Sequence, residues 1–424
     1  MSAARSRSLI SVARALTLPV AIASLVLMPA PATTQHRAHV LLGVDRLSTD
    51  FPAALVGKRV GLITNHSGMD RQGRSTIDLL ASRTDMKLVA LFAPEHGIRG
   101  SATGRIQAET DPATGLPVHS LFGEIRQPTP EMLADVDALV FDVQDVGVRQ
   151  YTYPTTMAYG MMAAAEKGIP FVVLDRPTPI TGSVVEGNIL DPAFSNFAGF
   201  YAIASRHGMT VGELAMMDNH EFGIHADLTV VEMEGWTRDL WMDETDLPWK
   251  GPSPNLPYFE GTIHYPGTVL FEGTSLSEGR GTEKPFEYIG APWLRAQEVA
   301  DTMNALRLPG VRFEALDYDV RPDGRKFGGQ RIHGVRFIAT DREAYRPITA
   351  ALYFMEVTKR LHPADFQFRS SGGGDRPVTY SLDRLSGTDQ TRAAVEAGTV
   401  RQLLARWDQE AARFREIRKE YLLY

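Results

Sequence analysis

Apolar and polar positions along this chain group into short apolar runs separated by stretches of helical periodicity. Arg59 to Thr64, Leu88 to Ala93, Ala138 to Val143 and Phe171 to Leu174 are too short for typical helices. Rich in large side chains, they predict strands buried on both faces. A helix is expected around Ser75 to Ser82. Another has Pro154 near its start, Ala163 to Glu166 in its body and Gly168 past its end. Successive strands joined by helices should lie parallel with right-handed crossovers, so their carboxyl ends share one edge. Those ends are polar: Asn65-His66-Ser67-Gly68; Glu95-His96-Gly97 with Arg99 behind; Gln144 through Arg149; and Asp175-Arg176-Pro177. Any one such loop is equally well a plain turn. Ligands of open α/β sheets bind at that edge, so four exits, from Asn65, Glu95, Asp145 and Asp175, are expected to converge on one cleft.

Further along, Thr210-Val211-Gly212-Glu213 fits a capping box, and Asp227 to Glu232 reads as a late strand. Between Pro248 and Pro266, four prolines (Pro252, Pro254, Pro257 and Pro266) are expected to interrupt any regular element, which places a domain boundary there. The organisation read is a first domain over 38–255 and a smaller one over 256–424. The second holds a Gly- and Glu-rich loop (Glu272 to Glu287), helices near Gln297 to Leu306 and Ile348 to Leu361, and strands near Val311 to Leu316 and Ile332 to Ala339. Ser370 to Gly374 reads as a flexible loop. A last helix from about Val400 puts Leu404, Trp407, Ala411, Phe414, Ile417 and Tyr421 on one face, a core stripe rather than a cofactor box.

Met1 to Ala32 has the form of a secretory signal: Arg5, Arg7 and Arg14, an apolar run over Ala15 to Met28, and Ala30-Pro31-Ala32 as cleavage site. Its apolar run is too short to favour a spanning helix, so an exported protein, periplasmic or secreted and without stable membrane insertion, is expected. Losing three arginines and no acid moves the formal charge from −7 to −10. That argues against nucleic acid as partner. With no cysteine in the chain, disulfides, thiol catalysis and lipid-anchored export are excluded.

No G-x-G-x-x-G follows the first strand, and there is no phosphate-loop motif, G-x-S-x-G or H-E-x-x-H. His66, His96, Asp142 and Asp145 match no metal spacing, so neither metal nor cofactor is expected, a metal-dependent hydrolase remaining the minor alternative. What remains is carboxylates with arginines and aromatics. Glu95, after a proline and near Phe92, suits a general acid of raised pKa, with Asp142 and Asp145 on the neighbouring exit. Tyr151 and Tyr153 offer ring faces and hydroxyls to a sugar, or simply pack. Paired carboxylates without metal or nucleophilic Ser or Cys fit glycoside hydrolysis. In the second domain Arg280 sits between Gly279 and Gly281, flanked by Glu278 and Glu283, and can clamp an anion bidentately. His264 reads more as structural than catalytic.

The motifs Ala93-Pro94-Glu95-His96-Gly97, Phe141 through Arg149, Tyr151-Thr152-Tyr153, Val173 through Pro177, Arg206 through Thr210, Ser253-Pro254-Asn255 and Glu272 through Trp293 resemble the bacterial exo-β-N-acetylmuramidases. The resemblance covers nearly all of the chain after the signal. It implies a Rossmann-like amino-terminal domain, a smaller carboxy-terminal α+β domain and an active-site cleft between them. The implied reaction releases terminal N-acetylmuramic acid from the non-reducing end of a peptidoglycan-derived muropeptide or disaccharide. By position, Glu95 is the expected acid, with His96, Asp142 and Asp145 as further catalytic candidates. Asn65, His66, Arg149, Tyr151, Tyr153, His264, Glu278, Arg280 and Glu283 are the expected substrate contacts. Arg149 and Arg280 are expected to grip the lactyl carboxylate from opposite walls. The rival expectation is a non-catalytic periplasmic glycan-binding protein using the same cleft.

Overall fold

The structure, a computed structural model, describes residues 37–98, 109–373 and 376–424. The signal segment Met1 to Ala32 and Arg99 lie outside the described residues. After a short helix α1 (Gly43–Arg46), the chain forms β1 (Arg59–Thr64), α2 (Thr76–Ala81), β2 (Lys87–Ala93), β3 (Glu109–Thr110), β4 (Pro117–Ser120) and β5 (Ala138–Asp142). Then follow α3 (Thr152–Lys167), β6 (Phe171–Leu174), β7 (Glu186–Ile189), β8 (Ala204–Arg206), α4 (Val211–Glu221) and β9 (Leu228–Val231). Seven strands make one sheet in the order β3-β4-β2-β1-β5-β6-β9, parallel throughout except for the edge strand β3. All of β5 and β6 is buried, which is why these strands read as unbroken apolar runs. The connecting helices carry the expected punctuation. Ser75 caps α2, Gly168 ends α3 at φ 70°, and Thr210 and Glu213 close a reciprocal capping box on α4.

From β1 the chain steps outward to β2 and β4, then crosses to the other side of β1 through β5, β6 and β9. The order reverses between β1 and β5, and the crevice beyond their carboxyl ends is where such a sheet accepts a ligand.

In the second half, α5 (Phe259–Thr268) begins inside the stretch expected to be irregular and carries Pro266 within it. That proline is in the last turn, where its missing N–H costs a single helical bond. Next to it Gly267 lets the helix press on backbone, since a Cβ there would lie 1.9 Å from the Pro347 carbonyl oxygen. The strands β10 (Tyr288–Ala291), β11 (Val311–Asp319) and β12 (Arg331–Ala339) form an antiparallel sheet in the order β10-β12-β11. Against it pack α6 (Ala296–Ala305) and, at one remove, α7 (Pro347–Leu361). The presumed loop at Ser370 is a strand, β13 (Ser370–Gly373), paired with β14 (Arg376–Tyr380) in an exposed hairpin. Three helices close the chain: α8 (Ser381–Ser386), α9 (Gln390–Ala397) and α10 (Val400–Ile417).

The buried stripe of α10 runs through Leu403, Trp407, Ala411 and Phe414; Leu404 is half-buried and Ile417 is exposed. Arg418 is buried in place of Ile417, because its guanidinium donates to the carbonyls of Gly182, His207 and Gly208. Past it, Tyr424 reaches the carboxyl end of β6, where its hydroxyl bonds Asp175 Oδ2 at 2.8 Å. Asp175 also accepts from Thr210 Oγ1 and the Gly212 amide. This strand exit is therefore a capping network sealed by the chain's last residue, and it does not open into the cleft.

Candidate active site

The pocket at the switch point takes its lining from both halves of the chain. The exit of β2 contributes Glu95 and His96, the exit of β5 contributes Gln150, Tyr151 and Thr152, and the second half contributes Tyr265, Glu272, Arg280, Phe286 and Arg325. At His96 the backbone is left-handed, φ 74°, and Gly97 continues it at φ 68°. A non-glycine residue held in that region costs about 1–3 kcal/mol and marks a turn fixed by its surroundings. The turn leaves the Glu95 carboxylate half-buried in the pocket, where Oε2 accepts a bond from Thr152 Oγ1 at 2.9 Å. Thr152 is the first residue of α3, so the helix start positions the acid.

Beside Glu95, Tyr151 is 8 % exposed and its hydroxyl has no hydrogen-bond partner among the described residues. The ring is fixed edge-on by Tyr153 (centroids 4.8 Å apart) and Tyr265 (5.8 Å). Burial, reinforced by the neighbouring Tyr153 and Tyr265 and then by Glu95 and Asp145, raises its pKa well above that of an ordinary tyrosine. It stays a neutral hydroxyl.

On the facing wall Arg280 lies over Phe286 (5.3 Å) and is ion-paired through Nη2 to Glu272. Its Nε is 3.4 Å from Glu278, which is itself 3.0 Å from Lys326. Burial alone would lower the guanidinium pKa, but the Glu272 and Glu278 carboxylates outweigh it and hold the pKa above its usual value. Glu272 also meets Arg325 at 3.4 Å, and burial raises its pKa against the pull of the two arginines. Arg325 is more than half exposed at the mouth. The wall thus presents two guanidiniums to whatever enters.

Several expected site residues lie behind this surface. Asn65 is buried, donating to the Tyr153 hydroxyl (2.7 Å) and accepting from Ser67, while Tyr153 donates to the Pro252 carbonyl (2.6 Å). Both brace the pocket without lining it. His66 is tied through Nε2 to the Gly251 carbonyl (2.8 Å), and burial lowers its pKa. Asp142 is fully buried, with Oδ1 2.5 Å from Arg176 Nε and Oδ2 shared by Arg176 and Thr76, so it is an interior ion pair rather than a catalyst facing the pocket. Asp145 is buried too, with Oδ2 accepting the Gly147 amide (2.7 Å) and Oδ1 unpartnered among the described residues. Burial pushes its pKa up to about 7 and that of neighbouring His207, 3.8 Å away, down to about 3.

The structure moves Arg149 away from the expected anion clamp. It is 2 % exposed, and it donates to the carbonyls of Asn188, Ile203 and Ser386, stitching the last third of the chain to β7 and β8. Burial lowers its pKa to about 9. His264 is enclosed in α5 against the Tyr345 hydroxyl (3.0 Å). Glu278 backs Arg280 from below, and Glu283 is exposed on the far side of the same loop, outside the pocket. Of the sequence-predicted residues, the structure brings Glu95, His96, Tyr151 and Arg280 together in the pocket. Thr152 belongs to the Tyr151-Thr152-Tyr153 segment expected to line the cleft; missing from the expectation were Gln150, Tyr265, Arg325 and, most consequentially, Glu272. Glu272 opens the loop that drew attention to Arg280, so the signal was at hand. Among the described residues, no three His, Asp or Glu side chains are grouped to hold a metal ion.

Two family models match the chain, described as exo-beta-N-acetylmuramidase NamZ, N-terminal, over residues 60–260 and C-terminal over residues 263–424. The peptidoglycan beta-N-acetylmuramidase NamZ of Bacillus subtilis (strain 168) is 46 % identical over 394 residues, which cover 92 % of this chain and 93 % of that protein. Crystal structures of two DUF1343 family proteins from Bacteroides fragilis NCTC 9343 superpose on it. One has a TM-score of 0.82 at 35 % identity, covering 92 % of this chain and 100 % of that one. The other has a TM-score of 0.71 at 31 % identity, covering 91 % and 99 %.

Proposed function

The chain belongs to the exo-β-N-acetylmuramidase family, and from that premise we propose which of its groups carry the reaction. The enzyme is a glycoside hydrolase that releases terminal N-acetylmuramic acid from the non-reducing end of peptidoglycan fragments. Glu95 is the general acid that protonates the leaving oxygen. The observation that carries this is its position: a half-buried carboxylate at the switch point of the parallel sheet, oriented by Thr152 and set beside the Tyr151 hydroxyl, which has no partner among the described residues. A binding module has no use for an acid so placed.

N-acetylmuramic acid differs from N-acetylglucosamine by a lactyl ether that carries a carboxylate. A chain of net negative charge repels that anion at long range, so local cations must recover it. Arg280, with Arg325 at the mouth, is that pair; Arg280 is already oriented by Glu272 and Glu278.

The substrate is a peptidoglycan-derived muropeptide or disaccharide met outside the cytoplasm, since the first 32 residues have the charge and hydropathy pattern of an export signal. Incubation of the purified chain with a chromogenic β-N-acetylmuramide tests the activity: colour release supports it, and tight binding without turnover would return the reading to a glycan-binding protein. Mass spectrometry of the amino terminus of protein recovered from the periplasm or medium tests the export.

A further inference from the structure

Hydrolysis of a β-glycoside requires an acid and something to take the anomeric carbon as the bond breaks, either a second carboxylate or an activated water. Among the described residues the pocket lining holds two carboxylates, Glu95 and Glu272. They are in different states. Glu95 is hydrogen-bonded to a neutral hydroxyl, whereas Glu272 is held between the guanidiniums of Arg280 and Arg325 with Lys326 nearby. A carboxylate whose oxygens are both paired to cations is a weak nucleophile and a weak base. Asp142 and Asp145, which could have served, are both buried away from the pocket. One buried polar group of a lining residue beside Glu95 has no hydrogen-bond partner among the described residues: the Tyr151 hydroxyl, whose ring is fixed edge-on by Tyr153 and Tyr265. The sugar that this family cleaves carries its own potential nucleophile, the oxygen of the 2-acetamido group, four bonds from the anomeric carbon through C2, nitrogen and the carbonyl carbon.

We propose that the 2-acetamido group of the substrate is the nucleophile, and that the Tyr151 hydroxyl donates a hydrogen bond that orients it. The proposal rests on reading Glu95 as the acid of this pocket. In the first step the acetamido carbonyl oxygen bonds to C1 while the glycosidic C1–O bond breaks, and the Glu95 proton passes to the leaving oxygen. The sugar is then a bicyclic oxazolinium, and Glu95 is a carboxylate. In the second step Glu95 takes a proton from water, whose oxygen bonds to C1 as the ring opens and the acetamido group is restored. Two displacements at C1 return the β configuration. Glu272 meanwhile keeps the arginines in place.

The test uses wild-type enzyme and aryl muramides bearing N-acetyl, N-fluoroacetyl, N-difluoroacetyl and N-trifluoroacetyl groups. Each fluorine withdraws electrons from the attacking oxygen, so kcat/KM is expected to fall steeply, by on the order of 100-fold or more across the series. Proton NMR of the first-formed sugar should show the β anomer. A flat series, or the α anomer appearing first, would overturn the proposal. Turnover of the N-acetyl substrate alone tests the glycosidase reading, so an active enzyme with a flat series loses only the nucleophile assignment. Tyr151→Phe should lower kcat by ~100-fold, the scale of a misplaced attacking group, without shifting the melting temperature. Unchanged kcat would remove Tyr151 from the mechanism.

Discussion

Replacing Asp142 separates a structural role from a catalytic one. In Asp142→Ala, Arg176 would stay 3 % exposed without a carboxylate bonded to its guanidinium, whose remaining bond is to the Met69 carbonyl. Breaking a buried ion pair from one side costs about 3–5 kcal/mol, because the surviving charge is stranded. The Thr76 hydroxyl would lose its acceptor as well, adding about 1 kcal/mol or more. Against a typical stability of 5–15 kcal/mol this is a large fraction. Asp142→Asn is gentler, keeping the shape and one acceptor oxygen. Urea unfolding of wild type and both variants, followed by circular dichroism, should rank them wild type, Asn, Ala. Activity per folded molecule of the Asn variant should stay within about tenfold of wild type, since the residue does not touch the reacting atoms. An Asn variant that unfolds like wild type but loses ~100-fold or more in kcat would refute the reasoning and return Asp142 to the catalytic machinery.

Three further outcomes follow. Arg280→Lys, assayed on matched muramide and glucosaminide substrates, should lose roughly 10- to 150-fold in kcat/KM on the muramide alone, equivalent to ~1.5–3 kcal/mol for a charged contact that an ammonium cannot form bidentately. An unchanged preference would place lactyl recognition elsewhere. Arg149→Lys should instead lower the melting temperature with no change in that preference, because its guanidinium meets three backbone carbonyls in the interior. A lost preference in a folded variant would contradict this. Asp175, whose pKa burial pushes up to about 7, contributes stability that is complete below its unfolded pKa near 4 and is lost as pH rises through 7. Asp175→Asn should therefore flatten the fall in melting temperature between pH 5 and pH 8; an equally steep fall in the variant would show that another group titrates.

The parallel sheet was legible because its central strands are buried on both faces, and only unbroken apolar runs survive there. Helix α5 was hidden by Pro266, since a proline in a last turn looks the same in sequence as one that breaks a helix. The site was legible only in part, and depth explains the division. Asp142 and Glu95 both follow apolar strands. Asp142 is the last residue of β5 and points into the layer between Arg176 and Thr76, whereas Glu95 stands two residues past β2, on a turn that leaves it in the pocket. Likewise Arg149 stands two residues after Gly147 and Arg280 between Gly279 and Gly281, all glycines of positive φ, yet one is drawn inward by backbone carbonyls and the other is held at the surface of the pocket by carboxylates. Which partners a polar side chain meets is decided by residues dozens or hundreds of positions away, and spacing along the chain does not record it.

The assignment of Glu95 is the claim on which the rest depends, and Glu95→Gln tests it most directly. Glutamine keeps the size and can still accept the Thr152 hydrogen bond, but it has no proton to give. Measured on a muramide with a poor leaving group, where protonation matters most, kcat should fall by at least ~100-fold while the melting temperature stays at the wild-type value. A folded Glu95→Gln enzyme with near-normal kcat on that substrate would contradict the account.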